Sequence, residues 1–292
     1  MSTSPILSSI RYPEYFKGKR LHIVSKHRKQ EYFEPAFTGR LGLICETVAA
    51  VDTDLLGTFS GEVERTLAPL ECAREKYRQA LPFCKDGYLL ASEGSFGAHP
   101  TLGWVATGEE WLVWYDIKEQ FEVVVRNATL DTCFYGETIT SEQQCLQFLQ
   151  KVGFPMQGII LKHSREHPKH TLKNLHTVQE VMDKVAEWVA SGAEPYIETD
   201  MRAMHNPTRQ QHLMQMGHLM ADAVSSICDS CGWYGFSVTS VERGLPCGWC
   251  GNATDSVLAA IYTCKKCNHS SRKKFPRGIE QEDPQFCNHC NP

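Results

Sequence analysis

Eight cysteines in the last quarter of the chain stand as four Cys-x-x-Cys pairs: Cys228/Cys231, Cys247/Cys250, Cys264/Cys267 and Cys287/Cys290. Two intervening residues let one turn present both sulfurs to one ion, and four thiolates complete a tetrahedral zinc site. Fifteen residues separate the first two pairs and nineteen the last two. Both gaps suit a C-x2-C…C-x2-C zinc site. The spacing therefore predicts two structural Zn²⁺ ions bound in sequential order, Cys228, Cys231, Cys247 and Cys250 on one and Cys264, Cys267, Cys287 and Cys290 on the other. The alternative is a cross-brace, first pair with third and second with fourth. Sulfur fills all four positions of each site and leaves none for water, so these ions stabilise the fold and do no chemistry.

Three further segments carry groups suited to chemistry. In Asp52-Thr53-Asp54-Leu55-Leu56-Gly57-Thr58-Phe59-Ser60-Gly61-Glu62-Val63-Glu64-Arg65, alternate residues of an extended chain share a face, which pairs Asp52 with Asp54 and Glu62 with Glu64. Paired carboxylates call for a cation between them, and Mg²⁺ or Mn²⁺ is the usual solution where phosphate is the substrate. A solvated acidic loop is the competing reading. The second segment, Ala91-Ser92-Glu93-Gly94-Ser95-Phe96-Gly97-Ala98-His99-Pro100, follows an apolar run. It reads as a turn at the end of a buried strand, where ligands of open α/β sheets bind. Gly94 and Gly97 would let backbone approach an anion, Ser95 would donate to it, and Glu93 adds a titratable group. A tight turn that needs glycine for geometry alone is the alternative. The third segment, Glu198 to Arg209, lies between a strand and the helix start Asn206-Pro207. Arg202 and Arg209 there suit a phosphate or carboxylate, and Asp200 suits a metal or the orientation of an arginine. A purely structural Asp–Arg network that pins the helix is the competing reading, but a segment this dense in polar groups beside a helix start is the stronger site candidate. Lys26, in the basic run after the first strand, is a further anion contact or simply a surface charge.

Strand and helix signals alternate from about residue 20 to 227, which positions these segments. Leu21–Ser25, Tyr88–Ser92, Gly158–Lys162 and Tyr196–Thr199 read as strands, and Trp111–Ile117 with Phe121–Val125 as a hairpin through Lys118-Glu119-Gln120. Pro69–Cys84, a helix capped by Ser141 and running to about Val152, and Leu175–Ala190 read as helices. In the last of these Val178, Val181, Met182, Val185 and Val189 share a face. Asn206 caps a final helix whose face is Leu213, Met216 or Gly217, Met220, Val224 and Ile227. It leads straight into Cys228, so the zinc region should pack against the rest. The predicted fold class is α/β, a mixed sheet with flanking helices plus a C-terminal pair of zinc ribbons. The expected organisation is an N-terminal extension over 1–20, a main domain over 21–227 and the double ribbon over 228–292.

The 292 residues and net charge of −4 give no global attraction to nucleic acid or membrane. The other five of the 13 cysteines (Cys45, Cys72, Cys84, Cys133 and Cys145) are scattered in apolar segments, as buried thiols of a reducing compartment would be. The first twenty residues lack the apolar core of a signal peptide, and no run approaches a membrane span, so a cytoplasmic protein is expected. His163, His167, His170 and His176 follow no zinc spacing and read as a solvated loop. The second ribbon is basic: Lys265, Lys266, Arg272, Lys273, Lys274 and Arg277 occur with no acid between Asp255 and Glu280, and Tyr262 and Phe275 are interspersed. That suits a nucleic-acid surface, or compensation of the charge of a tetrathiolate zinc.

The runs D-T-D-x-L-G-T-F-x-G-E-x-x-R, A-S-E-G-S-F-G-x-H-P and E-T-D-M-R-A-x-x-N-P-T-R, followed by G-L-P-C-x-x-C-G and a closing C-x-x-C-N-P, resemble a mainly bacterial family of domains of unknown function with a zinc-binding C-terminus. A fainter similarity is to the pyrophosphatases that clear non-standard nucleoside triphosphates. Their E-N-A-x-x-K-A helix compares with Glu71-Cys72-Ala73-Arg74-Glu75-Lys76-Tyr77, and their A-D-D-S-G strand end with Ala91-Ser92-Glu93-Gly94-Ser95. Their triphosphate-contacting T-x-N-x-x-K loop compares with Ser25-Lys26-His27-Arg28-Lys29, one residue short. Cys72 in place of Asn, and Ser92-Glu93 in place of the Asp pair, depart at the metal site as that family builds it. The residues together lead to an expected enzyme acting on a phosphorylated or anionic small molecule, a nucleotide above all. In it Asp52, Asp54 and Glu93 hold a divalent cation or act as base, and Lys26, Arg202 and Arg209 bind the anion. The rival expectation is a zinc-ribbon adaptor that binds nucleic acid or protein without catalysis.

Overall fold

The computed structural model describes residues 12–26, 28–52, 66–98, 103, 105–166 and 168–291. Five strands form the central sheet: β1 (Arg20–Val24), β2 (Ile44–Thr47), β3 (Tyr88–Ala98), β4 (Ala106–Asp116) and β5 (Phe121–Thr129), in the order β2-β1-β3-β4-β5. β1 is parallel to both neighbours, and β3, β4 and β5 are an antiparallel meander, so the sheet is mixed as expected. Four of the five β1 residues are buried, as a central parallel strand covered on both faces requires.

Successive side chains leave opposite faces of the sheet. Leu21, Ile23, Tyr88, Leu90, Leu112, Trp114 and Val123 pack under α2 (Gln30–Leu41) and α6 (Pro207–Ser225), while Val24, Leu89, Ala91 and Val113 pack under α3 (Pro69–Ala80). α2 gives no clear signal in sequence because Pro35 lies inside it. A short helix α1 (Tyr12–Phe16) precedes β1 and delivers Phe16 into the same core.

A second sheet is antiparallel: β6 (Gly136–Thr138), β9 (Tyr196–Thr199), β7 (Ile159–Lys162) and β8 (Thr171–Leu172), in that spatial order. It builds its own core with α4 (Glu142–Val152) and α5 (Val178–Ala190). Ser141 caps α4 by accepting from the Gln144 amide at 3.2 Å. Thr177 and Glu180 form a capping box on α5. Val181, Val185 and Trp188 face the core, whereas Val178 and Val189 are exposed: the buried stripe is rotated from the one the valines suggest. Ile227 is likewise exposed, because the chain leaves α6 at Ser225. No helix among the described residues is long and apolar enough to cross a membrane.

Two expectations are corrected. Ala91–Pro100 is not a turn as far as it is described, since β3 runs on to Ala98 and pairs residue for residue with β4. Eleven cross-strand partners override the weak strand preference of Gly94 and Gly97. The cysteines expected to hold metal are also grouped differently. Cys228, Cys231, Cys264 and Cys267 form one group and Cys247, Cys250, Cys287 and Cys290 the other, which is the cross-brace. The reason is an antiparallel meander of β10 (Ser237–Arg243), β11 (Val257–Thr263) and β12 (Ser270–Lys274). Each strand connects one Cys pair to the next, and each reverses direction. The first and third pairs therefore meet at one end and the second and fourth at the other, about 20 Å apart along seven-residue strands. Loop length is compatible with either pairing; strand direction decides it.

Candidate functional site

β1 ends opposite Ala91, and β3 continues seven residues beyond it. At this edge the chain turns from β1 into α2. The Lys29 amide donates to Ser25 Oγ at 3.3 Å, which fixes the turn and aims the Lys29 ammonium at Ser92 Oγ, 2.9 Å away. From α3, on the other face, Lys76 Nζ donates to the Ser92 carbonyl at 3.1 Å and to Glu93 Oε2. An ammonium thus takes a strand carbonyl that has outrun the end of β1. Cys72, one turn earlier on α3, donates to the same Glu93 oxygen at 3.5 Å.

Arg209 completes the group. Asn206 caps α6 by accepting from the Arg209 amide at 2.8 Å. The Arg209 guanidinium donates through Nε to Glu110 Oε1 at 2.6 Å and through Nη1 to the Met201 carbonyl. Glu110 stands directly across from Gly94 in the β3–β4 ladder. A Cβ on Gly94 would lie 2.5 Å from Arg209 Nη2 and 2.6 Å from Glu110 Oε1, so glycine is there because the ion pair lies over it. The second Glu110 oxygen is buried with no hydrogen-bond partner among the described residues.

Lys29, Lys76 and Arg209 therefore surround Glu93 and Glu110, all five buried: among the described residues, three cations against two carboxylates. Burial pushes the Glu93 carboxyl up, but Lys76, Lys29 and Arg209 outweigh it and hold it at about 2. Burial, then the neighbouring Arg209, pushes the Lys29 ammonium down to about 7. Among the described residues, the group loses one positive charge as pH rises through about 7, where Lys29 gives up its proton. Beside it, Arg209 Cζ lies 5.2 Å from the centre of the Phe96 ring, and Phe134, itself exposed, stacks near-parallel on Phe96 at 6.4 Å between centroids.

The remaining expected residues fall in various places. Lys26 pairs with Asp52 at 2.6 Å at the exposed end of the β1 loop. Asp54 lies outside the described residues. Ser95 sits half-buried across from Glu109, and a Cβ on Gly97 would meet nothing within 4 Å among the described residues. Asp200 and Arg202 engage each other: Arg202 donates to both carboxylate oxygens, at 3.0 Å (Nε) and 2.7 Å (Nη2) to Oδ2 and at 3.1 Å (Nε) to Oδ1, and reaches Asn174 at 3.0 Å. That pair lies at the end of β9, and its segment touches the cluster through the Met201 carbonyl. Lys29 and Lys76 are not among the expected site residues and enter only through the faint similarity to the pyrophosphatases; Glu110 does not stand out in the sequence. The available signal for Glu110 is an adjacent pair, Glu109-Glu110, in an alternating strand, where one of the two must face inward.

The C-terminal groups are geometrically suited to a metal. Sγ–Sγ separations are 3.8 Å for Cys228–Cys267, 3.6 Å for Cys231–Cys264, 3.9 Å for Cys247–Cys290 and 3.7 Å for Cys250–Cys287. A tetrahedron with about 2.3 Å metal–sulfur bonds has edges of about 3.8 Å, whereas a disulfide would bring sulfurs to about 2.05 Å. In each pair the residue after the second cysteine (Gly232, Gly251, Asn268 and Asn291) donates its amide to the carbonyl of the first, at 2.8 to 3.0 Å. Three of these four have positive φ, which glycine and asparagine tolerate best.

A family model described as Domain of unknown function (DUF6671) matches residues 76–292. The chain belongs to this family. The matched span holds all eight ligand cysteines together with Lys76, Glu93, Glu110 and Arg209; Lys26, Lys29 and Asp52 precede it. No curated protein and no solved structure matches the chain. What the DUF6671 fold does must therefore be argued from the site.

Proposed function

We propose that this DUF6671 protein is a hydrolase of a phosphorylated small molecule, with a nucleotide as the best-supported class and the edge of β3 beyond β1 as its site. The observation that carries this reading is the buried convergence of Lys29, Lys76 and Arg209 from three separate helix ends and faces on one strand edge. Basic side chains gathered at one buried place call for anions around them, and a phosphate would join the protein carboxylates in that role. Phosphate oxygens would accept from the lysines as point charges and from the forked guanidinium. Phe96 and Phe134 offer an aromatic face beside Arg209 against which a base would stack. The residues similar to the triphosphate pyrophosphatases support the same reading, because Ser25, Lys29, Lys76 and Ser92–Glu93 meet at this edge.

Asp52, Asp54 and Glu93 are the carboxylates assigned to Mg²⁺ or Mn²⁺, or to the general base. A hard cation there would neutralise charge developing on the leaving phosphate. Gly94, Ser95 and Gly97 line the same strand for backbone and hydroxyl contacts. Asp200 and Arg202 act by positioning: they hold the segment whose Met201 carbonyl anchors Arg209. The two four-cysteine groups hold structural zinc, since a closed tetrahedral thiolate site favours it. The adaptor reading is weakened by the ribbon's own pairing, in which Arg272 binds Glu242 at 2.7 Å, Arg277 binds Glu282 at 2.9 Å and Lys266 binds Glu119 at 3.1 Å. Half of the basic side chains that suggest nucleic acid are thereby neutralised internally.

The test is phosphate and pyrophosphate release from a panel of nucleoside triphosphates with Mg²⁺ or Mn²⁺. Glu93→Gln and the double variant Lys76→Met/Glu93→Gln, which removes the pair together, should lower turnover at least about 100-fold while the protein stays folded. Absence of release from every nucleotide, together with no pyrophosphate binding that depends on Lys76, would sink the proposal.

A further inference from the structure

A concavity lies at the opposite end of the strands, about 17 Å along β3 from Glu93 to Tyr88. Its volume is about 820 Å³, within the range of small-molecule sites. Tyr15, Lys19, Lys85, Tyr88, Asp116 and Lys118 are among its lining residues, drawn from three separate turns of the central sheet and from α1. This is the amino end of the parallel strands, where the ligand rule for open α/β sheets gives no expectation.

The charges at this end are unevenly matched. Asp116 is occupied: Tyr234 donates its hydroxyl to one oxygen, and the Glu119 amide donates to the other at 2.8 Å. Glu119 itself takes Lys266 at 3.1 Å. Asp86 and Glu46 are held by Arg20, at 3.5 Å and 3.2 Å. Lys19, Lys85 and Lys118 have no carboxylate within ion-pair distance among the described residues. Lys19 is the informative one. It is half-buried, with its ammonium 3.5 Å from the centre of the Tyr15 ring and 3.3 Å from the Tyr88 hydroxyl. A lysine free to reach water would extend into it. This one is held by a ring face and a neutral hydroxyl at the cavity wall; burial pushes its ammonium down most, with Asp116 and Glu119 acting at longer range in its favour and Lys118 against it.

We infer that this cavity is a second ligand site, for a small molecule bearing two or more phosphate groups, separate from the site at the β3 edge. Lysines recognise phosphate as mobile point charges, and three of them on three turns suit a charge distributed over several oxygens better than one planar carboxylate. The Tyr15 and Tyr88 side chains supply an apolar wall and hydroxyl donors. The inference is independent of the proposed hydrolase activity.

The experiment is isothermal titration of the full zinc-loaded chain with inorganic pyrophosphate, with citrate in a parallel arm. Two binding events per chain are expected. Lys19→Met, which keeps the packed stem, and the surface double variant Lys85→Ala/Lys118→Ala should each weaken one event at least tenfold and leave the other. Lys76→Met should do the reverse. Citrate should bind the Lys19-dependent site at least tenfold more weakly than pyrophosphate. Should Lys19→Met prove unstable, the Lys85→Ala/Lys118→Ala variant carries the test alone. A single event insensitive to all three lysines, no binding at millimolar pyrophosphate, or equal binding of citrate and pyrophosphate would overturn the inference. A Lys19-dependent event with no Lys76-dependent one in the unaltered protein would count against the hydrolase and leave this site standing.

Discussion

Glu93 and Lys29 both sit below their ordinary ranges, yet each makes stability depend on pH in its own window and for its own reason. The Glu93 carboxyl sits at about 2, below its ordinary 4.5. The stability it contributes is present above pH 4.5 and is lost as pH falls toward 2. The Lys29 ammonium sits at about 7, below its ordinary 10.5. Between pH 7 and 10.5 the unfolded chain holds the extra proton, so this group makes the protein more stable as pH rises through that window. Urea midpoints measured across pH should show both slopes. Glu93→Gln should flatten the acid one and Lys29→Met the alkaline one, and an unchanged alkaline slope in Lys29→Met would refute the burial of its charge. The two glycines of β3 make a second contrast. Gly94→Ala forces the buried Arg209–Glu110 pair aside and should cost about 1–3 kcal/mol. Gly97→Ala, with nothing among the described residues within 4 Å of the new methyl, should stay within about 0.5 kcal/mol in the same measurement.

The three-stranded meander of β10, β11 and β12 links the two four-cysteine groups without merging them. One group packs by Cys228 and Cys264 against Phe236 beside the main core, while the other lies at the far end, where Trp249 is 81% exposed. Metal binding and local folding are coupled in such sites. Cys247→Ser should therefore release one zinc per chain from the far group, with increased amide exchange confined to the segments around 247–256 and 279–291. The near group should keep its ion. Cys228→Ser should release the other zinc and also lower the unfolding temperature of the main core. A zinc content of zero in Cys247→Ser would mean that the sites fill as one unit and the strands do not insulate them.

Across the molecule, the cysteine-rich C-terminal region and the central sheet share a core. Tyr234, just after the first Cys pair, is 2% exposed and touches the rings of Tyr15, Phe16, Phe121 and Trp233. Its hydroxyl donates to the buried carboxylate of Asp116 at the end of β4. A hydrogen bond to a charged group of this kind is worth about 2 kcal/mol, and losing it leaves Asp116 undersatisfied. Tyr234→Phe should lower stability by about that amount with both zincs retained, read from denaturant unfolding with metal analysis. A loss near zero would mean that the ribbon is hung on the sheet without being part of it.

Much of this was determined locally. The strand at Tyr196–Thr199, the caps at Ser141 and Asn206, the hairpin around Lys118–Gln120 and the eight ligand cysteines follow from side-chain chemistry acting within a few residues. The tertiary structure alone decided which cysteines share a metal, because an antiparallel strand returns the chain to its starting end whatever the loop lengths. It also decided that Gly94 and Gly97 lie in a strand, since a ladder with β4 outweighs their local preference. The charge cluster was the least legible. Arg209 is expected from its place at a helix start, but Lys29, Lys76 and Glu110, scattered over about 80 residues, are ordinary surface types in any local window. Only the end of β1, beyond which β3 runs on between three helices, brings them to the same buried place.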